Sequence, residues 1–182
     1  MPRSCLLLDA CVVINLAATG RLEEILTWLE PDVMIVAAVA AETLYIEVTV
    51  DEALDHQQID LSPLLAAGLL TVTELEDDEL EMMIDFARSL DEGEAATLAA
   101  ASQRGCEIAT DDRAAIRFVS RNDLPVQILR TSTVIRNWAE STGQDVEIVR
   151  EALVRVEMSA RFVPSPTDPE IAWWEQHAGR SD

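Results

Sequence analysis

The stretch Leu90–Phe118, LDEGEAATLAAASQRGCEIATDDRAAIRF, decides how the chain is read. It predicts a helix, a tight turn, a buried strand and a second helix. The first helix opens on Asp91, Glu92 and Glu94, presents a run of alanines that can pack closely, and ends at Gly105, a residue suited to a left-handed C-cap. The strand Glu107–Thr110 runs into Asp111 and Asp112, and a helix follows at once, so either aspartate could cap it. In open α/β sheets ligands bind beyond the carboxyl ends of strands. Acids held there require an explanation.

Working outward, short apolar runs recur at 5–8, 33–36, 69–73 and 125–129, each followed by helical sequence. Alternation of that kind predicts a parallel sheet of about five strands with helices on both faces. Between these runs, Ala37–Leu54 reads as a helix carrying Glu42 in its first turns, and Asp55–Asp60 as a polar connector. Glu74–Glu81 reads as a solvated, acid-rich helix face. Residues 1–141 form the expected main domain. Residues 142–182 form a C-terminal helix and tail, packed on the same domain or on a partner subunit, with VPSPTDP as an extended linker and Trp173-Trp174 as packing residues.

The 182 residues carry a net charge of −21 and contain no lysine, so every cation other than histidine is an arginine. Phosphate neutralisation drives generic nucleic-acid binding, and an acidic chain is poorly suited to it. Any RNA partner must meet local arginines or bound cations. Arg113, Arg117 and Arg121 recur every four residues, one stripe on one helix face, with Arg104, Arg130 and Arg136 in the same third of the chain. A guanidinium row could track a phosphate backbone, or it could pair with the protein's own carboxylates. No apolar run is long enough for a membrane span and no signal-peptide layout is present, so a cytoplasmic location is expected. Cys5 and Cys106 read as small buried residues, too few and scattered for a disulfide framework.

Four acids fall where strands give way to helices: Asp9, Glu42, Glu94 and Asp112. A parallel sheet brings all strand C-termini to one edge, so these groups can meet. Converging carboxylates raise one another's pKa unless a cation is present, and Mg²⁺ or Mn²⁺ suits an all-oxygen set. Such ions can activate water and clamp a phosphodiester. Each acid taken alone also fits a helix cap. The sequence offers no Gly-rich phosphate loop, serine elbow or histidine beside a nucleophile.

Taken in order, LLLDACVVINL, VAAVAAETL and GEAATLAAASQRGCEIATDD resemble the PIN-domain family, from about Cys5 to Ala139. The resemblance implies a Rossmann-like three-layer α/β/α fold and a divalent-metal-dependent nuclease acting mostly on RNA. Among bacterial members it also implies a toxin held in check by a cognate antitoxin protein; a homodimer closed by the C-terminal part is a further expectation. Carried over residue by residue, Asp9, Glu42, Glu94 and Asp112 are the metal-holding and catalytic acids. Thr110 supports the loop that Asp112 closes, and Asp111 is a supporting acid or a helix cap, the cap being favoured. Arg113 and Arg117 are the candidates for RNA contact. The chain departs from the family at Cys11, where Asn or Ser is usual; Asn15 is the candidate to replace that support. The alternative is a non-catalytic protein on the same fold, serving as a protein- or nucleic-acid-interaction module.

Overall fold

The computed structural model describes residues 5–29, 32–42, 44–50 and 53–179. In chain order the elements are β1 (Leu6–Leu8), α1 (Ala10–Ala18), α2 (Leu22–Leu29), β2 (Val33–Val36), α3 (Ala37–Ala41), β3 (Tyr45–Val50), β4 (Ala53–Gln58) and α4 (Ser62–Ala66). They continue as β5 (Thr71–Thr73), α5 (Asp77–Phe86), α6 (Glu92–Arg104), β6 (Glu107–Ala109), α7 (Arg113–Arg121), β7 (Ile128–Leu129), α8 (Thr131–Thr142), α9 (Val146–Ser159) and α10 (Ile171–Ala178).

The five expected strands form one sheet in the order β5-β2-β1-β6-β7, and every pairing in it is parallel. Buried leucines fill all of β1, which suits a strand covered on both faces. On one side α6 lies against β1, β2 and β6, with α3 and α5 packed on it. Its buried alanines at 95, 96 and 99–101 let the helix approach the sheet closely. On the other side α1 packs with α2, α8 and α9, and α10 closes over α8 and α9. The result is a three-layer α/β/α fold with a central parallel sheet. Among the described residues no helix is long and apolar enough to cross a membrane.

The order of strands matters for function. From β1 the chain steps outward to β2 and β5, then returns to β6 on the other side of β1 and steps outward to β7. The reversal opens a crevice between the carboxyl ends of β1 and β6, the place where open α/β sheets bind ligands. Asp9 follows β1 and Thr110 to Asp112 follow β6, so both arrive there.

Several expectations need correction. The helix over Ala37–Leu54 stops at Ala41, and β3 and β4 form a separate antiparallel hairpin in register from Tyr45↔Gln58 to Val50↔Ala53. The β-branched and aromatic run YIEVTV supports an extended chain better than a helix. The expected polar connector at 55–60 is mostly β4, exposed along its whole length. Residues 43, 51 and 52, within the expected helix, lie outside the described residues. Cys5 and Cys106 form a disulfide that ties the starts of β1 and β6, at the sheet edge opposite Asp9.

The acidic run is not wholly solvated either. Glu79 is 3% exposed and takes a double contact from Arg104, Nε to Oε1 at 2.6 Å and Nη2 to Oε2 at 2.7 Å. Arg104 also donates to Thr73 Oγ1 and the Glu74 carbonyl, fastening α6 to the end of β5. The guanidinium holds the Glu79 carboxyl below the usual Glu range. The tail folds back on the domain: Trp174 is fully buried, its Nε1 donates to Glu157 Oε1 at 2.8 Å, and its ring meets Phe162 edge to face.

Replacing Arg104 by Ala strands a buried carboxylate. We expect a loss of about 3 kcal/mol in urea unfolding at neutral pH, with Arg104→Lys recovering only part of it because the forked geometry is lost.

Candidate active site

Asp9 is the N-cap of α1 and is 5% exposed. Its Oδ1 accepts from the Ala10 amide at 2.8 Å. Its Oδ2 accepts from the Thr110 hydroxyl at 2.6 Å and from the Cys11 thiol at 3.4 Å. Thr110 is fully buried, and its oxygen also accepts the Asp112 amide at 3.1 Å. One hydroxyl therefore joins the Asp9 carboxylate to the backbone that presents Asp112. The Asp9 amide in turn donates to the Ala109 carbonyl, which continues the β1–β6 pairing one step past the strands.

Asp112 caps α7 through the amides of Ala114 and Ala115. The expectation that Asp111 is the cap is thereby corrected. Asp111 turns the other way and is held on both oxygens. Thr131 donates to it through its amide and hydroxyl, and Asn15 Nδ2 donates to Oδ2 at 3.0 Å. Asn15 thus supports Asp111 and Thr131 rather than Asp9. The thiol of Cys11 provides the support at Asp9 that the sequence had left open.

Glu94 and Asp91 form a reciprocal capping box at the head of α6, with Glu94 N to Asp91 Oδ1 at 2.8 Å. Burial pushes the Glu94 carboxyl up to about 7, and the neighbouring charges of Asp112 and Asp91 add to the rise. The Asp112 carboxyl is thus a near neighbour of Glu94. Glu42 ends α3 and leans over the first turn of α6, where a Cβ on Gly93 would stand 2.7 Å from its Oε1. A side chain there would push the Glu42 carboxylate aside, and the nearby helix N-terminus favours a carboxylate. Partial burial raises the Glu42 pKa, and the charges of Asp91, Asp9 and Glu92 raise it further. Burial likewise raises Asp9.

Asp9 and Asp112 are joined through Thr110, and Glu42 and Glu94 are coupled to them, respectively, by like charge. Neither Glu42 nor Glu94 turns away into an ion pair among the described residues. Among those residues, no three of the acids close on a single point as metal ligands. Asp91 is the member that sequence reading placed near the site without a role: it faces both Glu42 and Glu94, and its position as the cap of α6 was its signal.

The arginines divide sharply. Among the described residues Arg113, Arg117, Arg121 and Arg130 make no ion pair, and every other described arginine reaches a Glu or Asp. Arg104 and Arg136 are thereby committed inside the protein. The four without ion pairs lie along α7, the helix that Asp112 caps, and at the N-cap of α8.

Two measurements follow. Thr110→Val removes the hydroxyl from between Asp9 and the Asp112 amide, and should cost about 1–3 kcal/mol of stability in denaturant unfolding. For Glu94 the sign is set by its raised pKa. The unfolded chain releases that proton near the ordinary Glu value and the folded chain near 7, so stability falls as pH rises through this window. Glu94→Gln should remove the fall. In EDTA, its melting temperature should exceed that of the native chain above neutral pH and meet it below about pH 4.

The family model described as a PIN domain matches residues 5–156. No curated protein and no solved structure matches the chain. The matched span runs from the start of β1 into α9 and contains all four acids, Thr110 and the unpaired arginines. The chain belongs to the PIN-domain family.

Proposed function

We propose that the chain is a divalent-metal-dependent endoribonuclease using Mg²⁺ or Mn²⁺. One observation carries the reading: a single threonine hydroxyl ties the Asp9 carboxylate to the backbone amide of Asp112 at the switch-point crevice, and Glu94 and Glu42 lie near enough for the charges of Asp112 and Asp9, respectively, to raise their pKa values. The donor chemistry fits a hard ion. Every candidate ligand is a carboxylate oxygen, and the raised Glu94, Glu42 and Asp9 carboxyls are the response of crowded acids that a cation would relieve. Asp9, Glu42, Glu94 and Asp112 are the residues that would hold it, and since no three of them converge on one point among the described residues, their side chains would have to draw together around the ion.

Bound there, the ion supplies Lewis acidity toward a phosphoryl oxygen and toward water. The chain's own residues do the rest. Thr110, Cys11 and the Ala10 amide hold Asp9 in one orientation. The amides of α7 do the same for Asp112. Glu94, at the head of α6 beside Asp112, is the carboxylate placed to accept the proton of an attacking water. Arg113 and Arg117, exposed on the same helix that Asp112 caps, offer guanidinium groups to the phosphate backbone on either side of the scissile bond.

The proposal extends to a role as the toxin of a toxin–antitoxin pair, for which a small neighbouring reading frame encoding a partner is the first observation to seek. A non-catalytic interaction module on the same fold is the second reading, favoured by the hydrogen bonds that already occupy both Asp9 oxygens.

Asp9→Asn and Asp112→Asn should each abolish Mn²⁺- or Mg²⁺-dependent cleavage of single-stranded RNA while the circular dichroism spectrum stays native; asparagine still caps a helix. The same ions should raise the melting temperature of the native chain and not of Asp9→Asn. Retained cleavage in either variant refutes the assignment, and absent cleavage together with an absent thermal shift favours the second reading.

A further inference from the structure

Next to the acids lies a cleft of about 190 Å³ whose walls include Asp111, Arg113, Arg130, Phe162, Ser165 and Asp168. It joins the start of α7 and the N-cap of α8 to the returning segment 162–168, which lies beyond the family match. We propose that this cleft binds a backbone phosphate of single-stranded RNA adjacent to the acid site, and that segment 162–168 fixes where the strand leaves it. The assignment rests on the nuclease reading for its ligand and deepens it.

Charge bookkeeping supports the site first. In a chain of net charge −21, an arginine normally finds a carboxylate, and most here do. Arg113 and Arg130 line the cleft and pair with none among the described residues. Arg130 is close enough to lower the pKa of Asp111, yet it makes no ion pair with it. The acids in the walls are held by hydrogen bonds from neutral donors, Asp111 on both oxygens and Asp168 on one. Asp111 is held on both oxygens by Thr131 and Asn15. Asp168, 5% exposed, accepts at Oδ1 from Ser132 Oγ at 2.8 Å and the Glu170 amide at 2.9 Å. The guanidinium groups are therefore the polar ends left to an anion, and their planar forks match phosphate oxygens.

Size and rigidity point the same way. The volume equals about six water molecules at their share of the liquid, room for a hydrated phosphate. The far wall is built rather than loose. The Asp168–Ser132 bond, the Arg136–Glu170 ion pair and the edge-to-face contact of Phe162 with buried Trp174 pin the segment to α8 and α10. Arg113 directly follows Asp112, so a phosphate in the cleft would sit beside the acids on the same strand of substrate.

The test uses the full chain in EDTA at low salt, with a fluorescent single-stranded oligoribonucleotide read by anisotropy and inorganic phosphate read by NMR of the arginine side chains. Arg113→Gln and Arg130→Gln should each weaken RNA binding by roughly tenfold, the loss of one charged hydrogen-bonded contact. Each should also lower the slope of log Kd against log salt by roughly 0.7. Arg88→Gln removes the same charge from an exposed pair elsewhere and should leave binding within about twofold of native, as expected for a surface ion pair. The proposal is overturned if Arg113 and Arg130 variants bind RNA like the native chain, if Arg88→Gln weakens binding equally, or if inorganic phosphate perturbs the two guanidinium groups while the RNA affinity ignores them. RNA binding that depends on both arginines in a chain that cleaves nothing under Mg²⁺ or Mn²⁺ would leave the subsite standing and remove the nuclease reading. Cleavage with unchanged affinity in both variants would do the reverse.

Discussion

The parallel pairing of β1 with β6 is the constraint on which the rest depends. It sets Leu8 beside Ala109, and the next residues of both strands then continue the contact through the Asp9 amide on the Ala109 carbonyl and the Thr110 hydroxyl on the Asp9 carboxylate. A shift of one residue would turn each side chain to the other face and separate the pair. Two disparate devices keep the register. Buried leucines fill β1 on both faces, and the Cys5–Cys106 disulfide closes the opposite ends of the same two strands. The site is thus held from both ends of a three-residue pairing.

Around that pair the protein concentrates negative charge and gives it only partial relief. Helix N-termini supply some. Asp9 caps α1, Asp112 caps α7, and Glu42 and Glu94 lie over the start of α6. Gly93 gives Glu42 the space to be there, and the small residues behind it let α6 come close to the sheet. What remains shows in the carboxyl pKa values, raised at Asp9, Glu42 and Glu94 for the same mixture of burial and like charge. A fold selected for stability alone would pair or disperse these groups. Elsewhere in the chain it does so, as Arg104 with Glu79 and Arg161 with Glu47 demonstrate.

The legible parts of the sequence were those whose meaning is local. Helix α6, its left-handed C-cap at Gly105 and the strand after it could be read from 90–110 because caps, alanine faces and apolar runs act within a few residues. The meeting of Asp9 with the loop of Asp112 followed from parallel topology alone. What could not be read depends on partners distant along the chain. Cys5 and Cys106 are 101 residues apart, and only the β1–β6 register brings their Cα atoms to 4.8 Å. Asp111 left its own helix for Thr131 and Asn15, a choice set by the packing of α1 against α8. The hairpin β3–β4 failed for a different reason. Its residues carry both helical and extended tendencies, and β4 has no buried face to impose a period of two.

The division of the arginines is the strongest link between this architecture and a polyanionic substrate. A long-range field of −21 repels nucleic acid, so net charge argues against such a partner at a distance. Recognition at contact is governed by local groups, because screening limits exposed charges to within about 10 Å at ordinary salt. The surface that starts at Asp112 is unlike the rest: among the described residues, four arginines without ion pairs lie along α7 and at the start of α8, leading away from carboxylates whose charge a divalent ion would cancel. With the ion in place, the acid edge and the arginine row would present one continuous phosphate-compatible path on an otherwise repulsive surface. The acidic remainder then acts as a filter, admitting a strand only where cation and guanidinium groups lie together, and that arrangement favours one docking line over diffuse binding.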